Sequence, residues 1–424
     1  MKKTLISLAT ASLIASSAVA ADKGIDFTTT GQAVVYYQTS NDGLTGSADL
    51  FNRKASSANI GVQLNSSADL KNGFTFGSQI SYLGTTGLEK NLVVNTRQVS
   101  AATNASGSGL DAANSTSDQL MLTQIFVNKT VAKTSITIGR QELPKSLSPL
   151  AFTEGWNVFK NTFDAVLVVN SDLPNTTLVG AYVGRSTGHD LSTVGDLTVA
   201  SSAGNLTVAK TAYMLTAQNT ALPMTTVTAS YYALAGITAA DSADALWLDA
   251  KVADKSLPMG LKIGVQAGMI MPEADITTDT TAFGLKVGIK PMPALTVCGA
   301  YTHVNGNTDG KAQAAVKNTG TGVKTPLYTQ MVANQNAISL DNSTFMLKGA
   351  YSLGDMGTVV AQTAYTQAGR INMSGNGIDY NEFDLMYKAK VGGVDLLAAY
   401  VYQAWDTKND KSNDIVRVVA RYAF

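Results

Sequence analysis

The sequence predicts an all-β protein, a transmembrane antiparallel β-barrel of about 18 strands with short periplasmic turns and long extracellular loops. Three observations lead to this prediction. Apolar and polar residues alternate with a period of two in segment after segment, the connections are alternately short and long, and only 15% of the 424 residues are charged. Soluble domains have about 25% charged residues. Much of this surface is therefore uncharged or does not face water.

A short N-terminal segment precedes the strands. Lys2 and Lys3 are followed by an apolar stretch and by the small residues Ala-Val-Ala at 18–20, a pattern typical of a bacterial secretory signal. We predict cleavage after Ala20, which leaves 21–424 as a single barrel domain with 29 basic and 31 acidic residues. The alternative is an anchor helix, but the apolar stretch is too short to span ~30 Å of hydrocarbon.

The composition excludes several classes of function. The 31 basic and 31 acidic residues are balanced and form no basic cluster, which argues against nucleic acid as a partner. The single cysteine, Cys298, excludes a disulfide framework and a cysteine-based zinc site. His189 and His303 are too few for a histidine-rich metal centre. No apolar run downstream reaches the ~18 residues of a transmembrane helix, so any membrane role must come from strands.

The clearest hairpin lies at residues 59–82. Its first strand alternates an apolar face with a polar face of Asn, Gly, Gln, Ser and Asp; the apolar face comprises Ile60, Val62, Leu64, Ser66, Ala68 and Leu70. Asn72-Gly73 follows, and both residue types tolerate the positive φ of a tight hairpin turn. Alternation then resumes from Phe74 to Tyr82. If one face meets lipid and the other a wet lumen, the two contributions to hydropathy cancel.

The same alternation predicts strands along the whole mature chain. The predicted strands are 27–39, 57–70, 74–83, 119–130, 134–140, 163–170, 176–185, 208–218, 225–235, 244–253, 261–271, 281–290, 295–304, 343–353, 358–368, 380–390, 395–405 and 414–424. In 119–130, 134–140 and 208–218 the two faces are not cleanly different. None of the nine prolines needs to lie in a strand interior, where it would remove a donor from the ladder.

Connection lengths and strand number predict a closed pore. The short turns include Asn72-Gly73, and the long connections are 84–118, 141–162, 186–207 and 305–342. An even number of strands puts both termini at the end of the barrel that has the short turns, as in outer-membrane barrels. Only closure satisfies every backbone group in lipid. Barrels of sixteen to eighteen strands enclose an aqueous channel.

The C-terminal strand and the aromatic residues agree with an outer-membrane location. One face of the last strand is apolar and ends on the terminal Phe424, which resembles the signal read by the barrel assembly machinery. Aromatic residues near strand ends predict interfacial girdles, although aromatics are also simply common in strands. The girdle candidates are Phe74, Tyr82, Phe163, Phe283, Tyr301, Phe345, Tyr351 and Tyr402.

A local motif adds a family resemblance. Gly139-Arg140-Gln141 with Pro144 and Pro149, followed by the segment 161–164, resembles a loop of OprD-type porins and of campylobacterial major outer membrane porins. The plan covers the mature chain, and the motif covers about 25 residues. The resemblance implies a homotrimeric 18-stranded pore of the Gram-negative outer membrane, in contact with lipid and lipopolysaccharide. It also implies that 141–162 folds into the lumen as a constriction loop.

The resemblance implies three constriction residues, Arg140, Lys145 and Glu154. Arg140 shares strand parity with Ile136 and Ile138, so it faces the lumen only if the strand ends or bulges near Gly139. The polar strand faces carry further lumen candidates: Lys251, Lys262, Lys286, Lys290, Lys348, Lys388, Lys390, Arg417 and Arg421 as bases, and Asp249, Glu382 and Asp384 as acids. A positive wall would favour small anions or carboxylates. Alternatively, Lys290 and Lys390 extend to the periplasmic rim, and loop carboxylates cancel the remaining positive charge of the wall.

Three other interpretations remain open from the sequence. Asn305, Asn307, Asp309 and Gly310 imitate the first half of a calcium loop, but position twelve would be Val316 rather than Glu. An ordinary polar loop is the simpler interpretation. A passive channel for ions and small hydrophilic solutes competes with a lipase-like barrel enzyme, which would need a Ser–His pair near lipid. A surface adhesin would need repeats or a passenger domain, and the sequence has neither.

Overall fold

The structure is a computed structural model. It describes residues 25–41, 49–52, 55–86, 88, 119–187, 194–197, 210–235, 242–273, 277–306, 311–369, 377–406 and 411–424. The predicted signal segment 1–20 lies outside these residues. So do His189 and three members of the calcium-like loop, Asn307, Asp309 and Gly310.

Twenty strands follow one another along the described residues. Their bounds are β1 Phe27–Asn41, β2 Ser56–Lys71, β3 Phe74–Thr85, β4 Gln119–Val131, β5 Thr134–Gln141, β6 Phe163–Asn170, β7 Thr176–Ser186, β8 Thr211–Asn219, β9 Thr225–Ala235, β10 Ala243–Ala253, β11 Lys262–Pro272, β12 Thr277–Thr278, β13 Thr280–Met292, β14 Leu295–Val304, β15 Ala312–Gln313, β16 Asn342–Ser352, β17 Thr358–Ala368, β18 Tyr380–Val391, β19 Val394–Trp405 and β20 Ser412–Ala423. A single α-helical turn spans Gln335–Ile338. Among the described residues, no helix is long and apolar enough to cross a membrane.

Eighteen of these strands form one closed antiparallel barrel. Strand β1 pairs with both β2 and β20, so the described sheet has no open edge. The two-residue strands β12 and β15 pair only with each other, in parallel. The predicted fold class is confirmed, and each of the eighteen predicted segments overlaps a barrel strand.

Tight turns join the strands at one end of the barrel. Asn72 (φ 51°) and Gly73 (φ 74°) are both left-handed, as the Asn-Gly pair predicts. A Cβ on Gly73 would lie 2.4 Å from the Thr130 carbonyl oxygen, so the turn requires glycine. Pro291, expected in a turn, instead lies one residue inside the end of β13, where the ladder to β14 is interrupted. The missing N–H is therefore tolerated.

The sequence alternation becomes an alternation of outside and lumen. Along β18, Phe383 and Leu385 point outward and are exposed, whereas Glu382 and Asp384 point inward and are buried. The aromatic residues expected in girdles also lie on the outward face, with one exception. Phe163 is buried inside the barrel, where its ring contacts Gly320 of a long loop.

A hydrophobic core lies inside the barrel. Its wall members come mainly from β6 to β11, and include Val179, Ala181, Val183, Met214, Tyr232, Leu234, Ala245, Trp247 and Ile270. Leu143 and Leu150 of one long connection and Leu327 and Ile338 of another pack against them. The expectation of a polar lumen face on every strand is therefore wrong for this wall. These side chains are apolar because they are covered by loops rather than by water.

Candidate pore constriction

Residues 142–162, called here the first inward loop, cross the lumen from β5 to the wall of β20. Arg421 donates hydrogen bonds to the carbonyl oxygens of Val158 at 2.7 Å and Asn157 at 2.5 Å. Arg417 donates to the carbonyl oxygen of Trp156 at 3.4 Å. Two arginines on one strand therefore hold three successive carbonyl groups of the loop, and charge-assisted bonds of this kind are stronger than neutral ones.

Phe159 fixes the same loop against β2. The ring is buried beside Val34 and Leu83. A Cβ on Gly61 would lie 2.5 Å from the ring, so glycine allows the ring to approach the strand backbone. Apolar packing and arginine bonds thus seat the loop on neighbouring parts of the same wall.

Residues 311–341, called here the second inward loop, are anchored by side chains to β10 and β14. Tyr328 donates its hydroxyl proton to Asp249 Oδ2 at 2.7 Å. Burial, together with this hydrogen bond, raises the pKa of Tyr328. The hydroxyl groups of Thr329 and Thr302 lie 2.6 Å apart. This side of the loop therefore rests on the wall opposite Arg417 and Arg421.

Two carboxylates on β18 bind the backbone of the second inward loop. Glu382 Oε1 accepts a hydrogen bond from the Ala333 N–H at 2.7 Å, and Asp384 Oδ2 accepts one from the Val332 N–H at 3.1 Å. Gln362 also donates to Asp384 Oδ2, at 2.6 Å. Both acids are buried. Both point inward, and both accept hydrogen bonds from loop amides.

The two inward loops are joined to each other through Glu154. Its Oε1 accepts hydrogen bonds from Asn318 Nδ2 at 2.8 Å and from the Lys324 N–H at 3.2 Å, and also from the Thr321 hydroxyl. Only 4% of Glu154 is exposed. A buried carboxylate needs several donors to offset its loss of hydration. The chain segment 318–324 supplies them.

Two lysines lie at the junction of the loops, Lys324 buried and Lys145 exposed. Lys145 donates to the Thr325 carbonyl oxygen at 2.8 Å, and Lys324 donates to the Val332 carbonyl oxygen at 2.9 Å. Burial lowers the pKa of Lys324 to about 8, and nearby Glu154 opposes the shift. The Lys324 ammonium also lies 5.4 Å from the centre of the Trp156 ring.

Two cavities meet at Trp156. One, of about 260 Å³, is lined by residues of both inward loops and by Arg417. The other, of about 740 Å³, is lined by Trp156, Lys388, Lys390 and Arg421. Arg417 and Arg421 are four residues apart on β20, which corresponds to about 13 Å. The cavities are therefore successive along one wall, with the Trp156 side chain between them.

A third cavity, of about 340 Å³, lies against the opposite wall near Tyr328. Its lining includes the side chains of Lys251, Lys262, Lys286, Lys348 and Cys298. Lys251 forms an ion pair with Asp249 at 2.8 Å, and the Lys286 ammonium lies 5.8 Å from the centre of the Tyr328 ring. Four lysines lining one cavity produce a positive potential there.

Structural comparison decides the fold type. Over 94% of this chain, the structure superposes on OccAB4 from Acinetobacter baumannii with a TM-score of 0.75 and 10% sequence identity, covering 98% of that protein. OpdK from Pseudomonas aeruginosa, solved with vanillate, gives 0.72 and 14% over 94% of this chain and 98% of OpdK. The chain has the fold of the OprD-like porins. Neither a protein-family model nor a curated protein matches its sequence.

The porin fold brings most of the predicted residues together. Lys145 and Glu154 join the loops, and Arg417, Arg421, Glu382 and Asp384 hold them to the wall. Lys262, Lys286 and Lys348 line the third cavity, and Lys388 lines the cavity of about 740 Å³. Arg140 does not join them. Its ladder pairing continues without a lumen-directed bulge, and its guanidinium binds Asp164 on the outward face. Arg140 therefore lies on the outward face, as its strand parity predicts, and not in the constriction, as the family resemblance implies.

Several residues of the candidate constriction were not found from the sequence. Trp156, Asn318, Lys324 and Tyr328 lie in loops, where period-two alternation gives no information about direction. One signal was available in the second inward loop, since Val316, Leu327, Met331, Val332 and Ile338 are unusually apolar for a loop facing water, and all five are buried. Among the described residues, no group of three or more His, Cys, Asp or Glu could hold a metal ion.

Proposed function

We propose that this protein is an outer-membrane porin, a water-filled channel for passive diffusion of ions and small hydrophilic solutes. The observation that carries the proposal is a closed 18-stranded barrel narrowed by two loops that are bonded to each other and to the wall. Barrels of this size leave an aqueous interior. Buried, bonded loops narrow it without depending on a partner.

The route that the geometry favours follows β20. A solute would enter the cavity lined by Lys324 and Arg417, pass Trp156, and leave through the cavity lined by Lys388 and Arg421. Apart from the buried Glu154, the first of these cavities is lined by cations and neutral groups. The large one also has Asp355 and Asp395 in its lining. This arrangement supports a preference for small anions and carboxylates at the narrow point.

Single-channel recording in planar bilayers tests both the pore and its route. We expect stepwise conductance from the purified protein, and a larger step from Trp156→Ala because the ring separates the two cavities. Phe345→Ala is the matched control, since it removes a ring that is 57% exposed on the outward face. Absence of stable conducting steps would refute the channel. Unchanged conductance in Trp156→Ala would refute only the route.

The cargo proposal extends this route to carboxylates. OpdK was solved with vanillate, and this chain shares its fold. Two arginines along the route are suited to carboxylate geometry. In a salt gradient, the reversal potential should indicate anion preference, and vanillate should reduce chloride current. A clear cation preference would contradict the proposal. It would mean that Asp355 and Asp395 of the large cavity, rather than the arginines, determine the charge preference.

The cellular setting follows from the same reasoning. We propose export by the signal 1–20 with cleavage after Ala20, insertion by the barrel assembly machinery, and a homotrimer embedded in phospholipid and lipopolysaccharide. Residues 21–424 would form the single barrel domain, with 141–162 as its constriction loop. N-terminal sequencing of the mature protein checks the cleavage site. Light scattering of the detergent-solubilised protein checks the trimer.

A lipid-facing hydrolase is the second candidate, and it depends on one contact. His303 Nδ1 lies 3.0 Å from Ser343 Oγ on the outward face, and the Tyr301 hydroxyl donates to the same Oγ at 3.3 Å. The channel is favoured because the two strands carrying this pair are fully laddered there, so their N–H groups are not available to an oxyanion. A fluorogenic phospholipid assay of wild type and Ser343→Ala separates the two functions.

A further inference from the structure

A charged cluster lies on the outward face at the outer ends of β5, β6 and β7. Arg140 Nε lies 2.7 Å from Asp164 Oδ1, and a second guanidinium nitrogen lies 3.3 Å from Oδ2. Arg185 approaches the same carboxylate at 3.5 Å, and its side chain is 60% exposed. Two guanidinium groups therefore share one carboxylate, which leaves an excess of one positive charge.

A β-bulge directs Arg185 to this face. Asp164 pairs with Arg185 but Ala165 pairs with Val183, so Gly184 is the extra residue of β7. Strict alternation would have placed Arg185 on the lumen side with Val183. The bulge therefore brings a second arginine beside Arg140.

A pair of neighbouring tyrosines locates this cluster relative to the membrane. Tyr182 and Tyr213 are ladder partners on β7 and β8, and their ring centroids lie 5.3 Å apart on the outward face. Tyrosines mark the boundary between hydrocarbon and headgroups. The Arg140–Asp164 pair lies two residues beyond the level of Tyr182, which corresponds to about 7 Å along the strands. The two arginines therefore lie at the level of lipid headgroups.

An apolar groove continues along the same strands towards the membrane centre. It has a volume of about 450 Å³ and is lined by Leu178, Gly180, Leu215, Ala217, Ala229 and Leu246. From Arg185 to Gly180 the distance along β7 is about 15 Å. Half of the ~30 Å hydrocarbon core is also about 15 Å. The arginines and the groove are thus spaced like the headgroup and the acyl chain of one lipid.

Other parts of the outer rim have the opposite character. Tyr365 donates to Asp379 at 2.5 Å, and Tyr400 donates to Asp414 at 2.5 Å, with both tyrosines on the outward face. Carboxylates at those positions would repel an anionic headgroup. The arginine pair on β5 to β7 would attract one, and its forked donors match phosphate oxygens. Asp164 also holds Arg140 in place, which lowers the ordering cost of binding.

We propose that this face binds a phosphorylated glycolipid of the outer leaflet. The phosphate would contact Arg140 and Arg185, and an acyl chain would fill the groove at Gly180, Ala217 and Ala229. The site is on the outside of the barrel, so it is independent of conduction through the lumen. This site would bind one lipid at a defined position, in contrast to the non-specific lipid around the rest of the barrel.

Native mass spectrometry of the folded, detergent-solubilised protein with lipid A tests the phosphate contact. We expect Arg185→Ala to weaken binding about tenfold and Arg140→Ala/Arg185→Ala to weaken it further. Lys133→Ala/Lys255→Ala removes two cations at the periplasmic turns and should leave binding unchanged. Arg185→Ala is the decisive variant, because its exposed side chain can be removed without leaving Asp164 unpaired. Equal affinity of Arg185→Ala and wild type would overturn the proposal.

Three further measurements identify the ligand. Dephosphorylated lipid A should bind at least tenfold more weakly, and equal binding would overturn the arginine contact. Ala217→Leu/Ala229→Leu fills the groove with apolar atoms and should weaken lipid A about fivefold; no change would overturn the acyl site. Competition by millimolar inorganic phosphate alone would mean a free-anion site and overturn the lipid assignment. Conductance of all these variants should equal that of wild type.

Discussion

The carboxylate of Glu154 in the first inward loop accepts a hydrogen bond from the side-chain amide of Asn318 in the second, at 2.8 Å. Asn318 Nδ2 also donates to the Phe152 carbonyl oxygen at 2.7 Å, and its Oδ1 accepts from the Phe152 N–H at 3.0 Å. Neither loop therefore holds its conformation alone. The conformation of both loops depends on a contact between segments more than 150 residues apart.

Substitution of Glu154 should release the two loops from each other. Glu154→Gln keeps the size but loses the charge that Asn318, Thr321 and the Lys324 N–H stabilise, and each hydrogen bond to a charged group contributes about 1.5–3 kcal/mol. We expect a noisier and larger single-channel conductance, with the barrel still resistant to detergent. Glu142→Gln, in the same loop but 37% exposed and paired with Lys160, is the control. Equal noise in both variants would contradict the joining role.

Arg421 should contribute both to loop position and to charge preference. Arg421→Gln removes a cation from the large cavity and the bonds to the Asn157 and Val158 carbonyl oxygens, so we expect weaker anion preference and greater current noise. Arg421→Lys separates these effects, because lysine keeps the charge but not the forked geometry. Arg421→Lys should keep the wild-type reversal potential but show the greater current noise of a loop that is no longer held to the wall. A wild-type reversal potential in Arg421→Gln would exclude Arg421 from the selective part of the route.

The barrel could be predicted from the sequence because lipid imposes a strict rule on every strand. Outward positions must be apolar and backbone groups must be paired, so alternation reports face and turn residues report boundaries. The same rule correctly gave Arg140 the parity of Ile138. Strict alternation does not hold at Arg185, where a bulge at Gly184 reverses the faces.

The constriction could be predicted only in part, because its contacts are not local. Lys145 and Glu154 were found through resemblance, but nothing in their neighbourhood indicates that Glu154 would bind Asn318. Phe163 was expected to face lipid, yet its ring is buried against Gly320. Loop direction depends on tertiary packing of apolar loop residues such as Leu327 and Ile338. The alternation of apolar and polar residues in the strands does not predict that packing.

The native thiol of Cys298 should report the potential of the lysine-lined cavity. It lies beside Lys348 in the β14–β16 ladder and lines the same cavity as Lys251, Lys262 and Lys286. A sulfonate-bearing thiol reagent should react about tenfold faster than a trimethylammonium-bearing one, corresponding to ~1.4 kcal/mol, after correction for their rates with free cysteine. Lys348→Gln should reduce that ratio, and Lys255→Gln, at a periplasmic turn, should not. Equal rates in wild type would argue against a positive cavity.

The charge preference of the channel should depend on pH in a range where ordinary lysines do not titrate. Burial lowers the pKa of Lys324 to about 8, against 10.5 for an exposed lysine. Charges that act on Lys324 are Glu154, Glu382 and Asp384, which favour its protonated form, and Arg417, which opposes it. Above pH 8 Lys324 loses its positive charge, so anion preference should fall between pH 7 and pH 9.5.

The sign of the accompanying stability change follows from linkage. Between pH 8 and 10.5 the unfolded or undocked loops bind protons that the docked loops do not, so docking becomes more stable as pH rises through that window. Below pH 8 the cost of burying the charged amine of Lys324 is constant. Reversal potential and current noise at pH 7 and pH 9.5 measure the two effects. Lys324→Met should reduce the pH step in reversal potential, whereas a wild type with the same anion preference at both pH values would show that Lys324 does not titrate there.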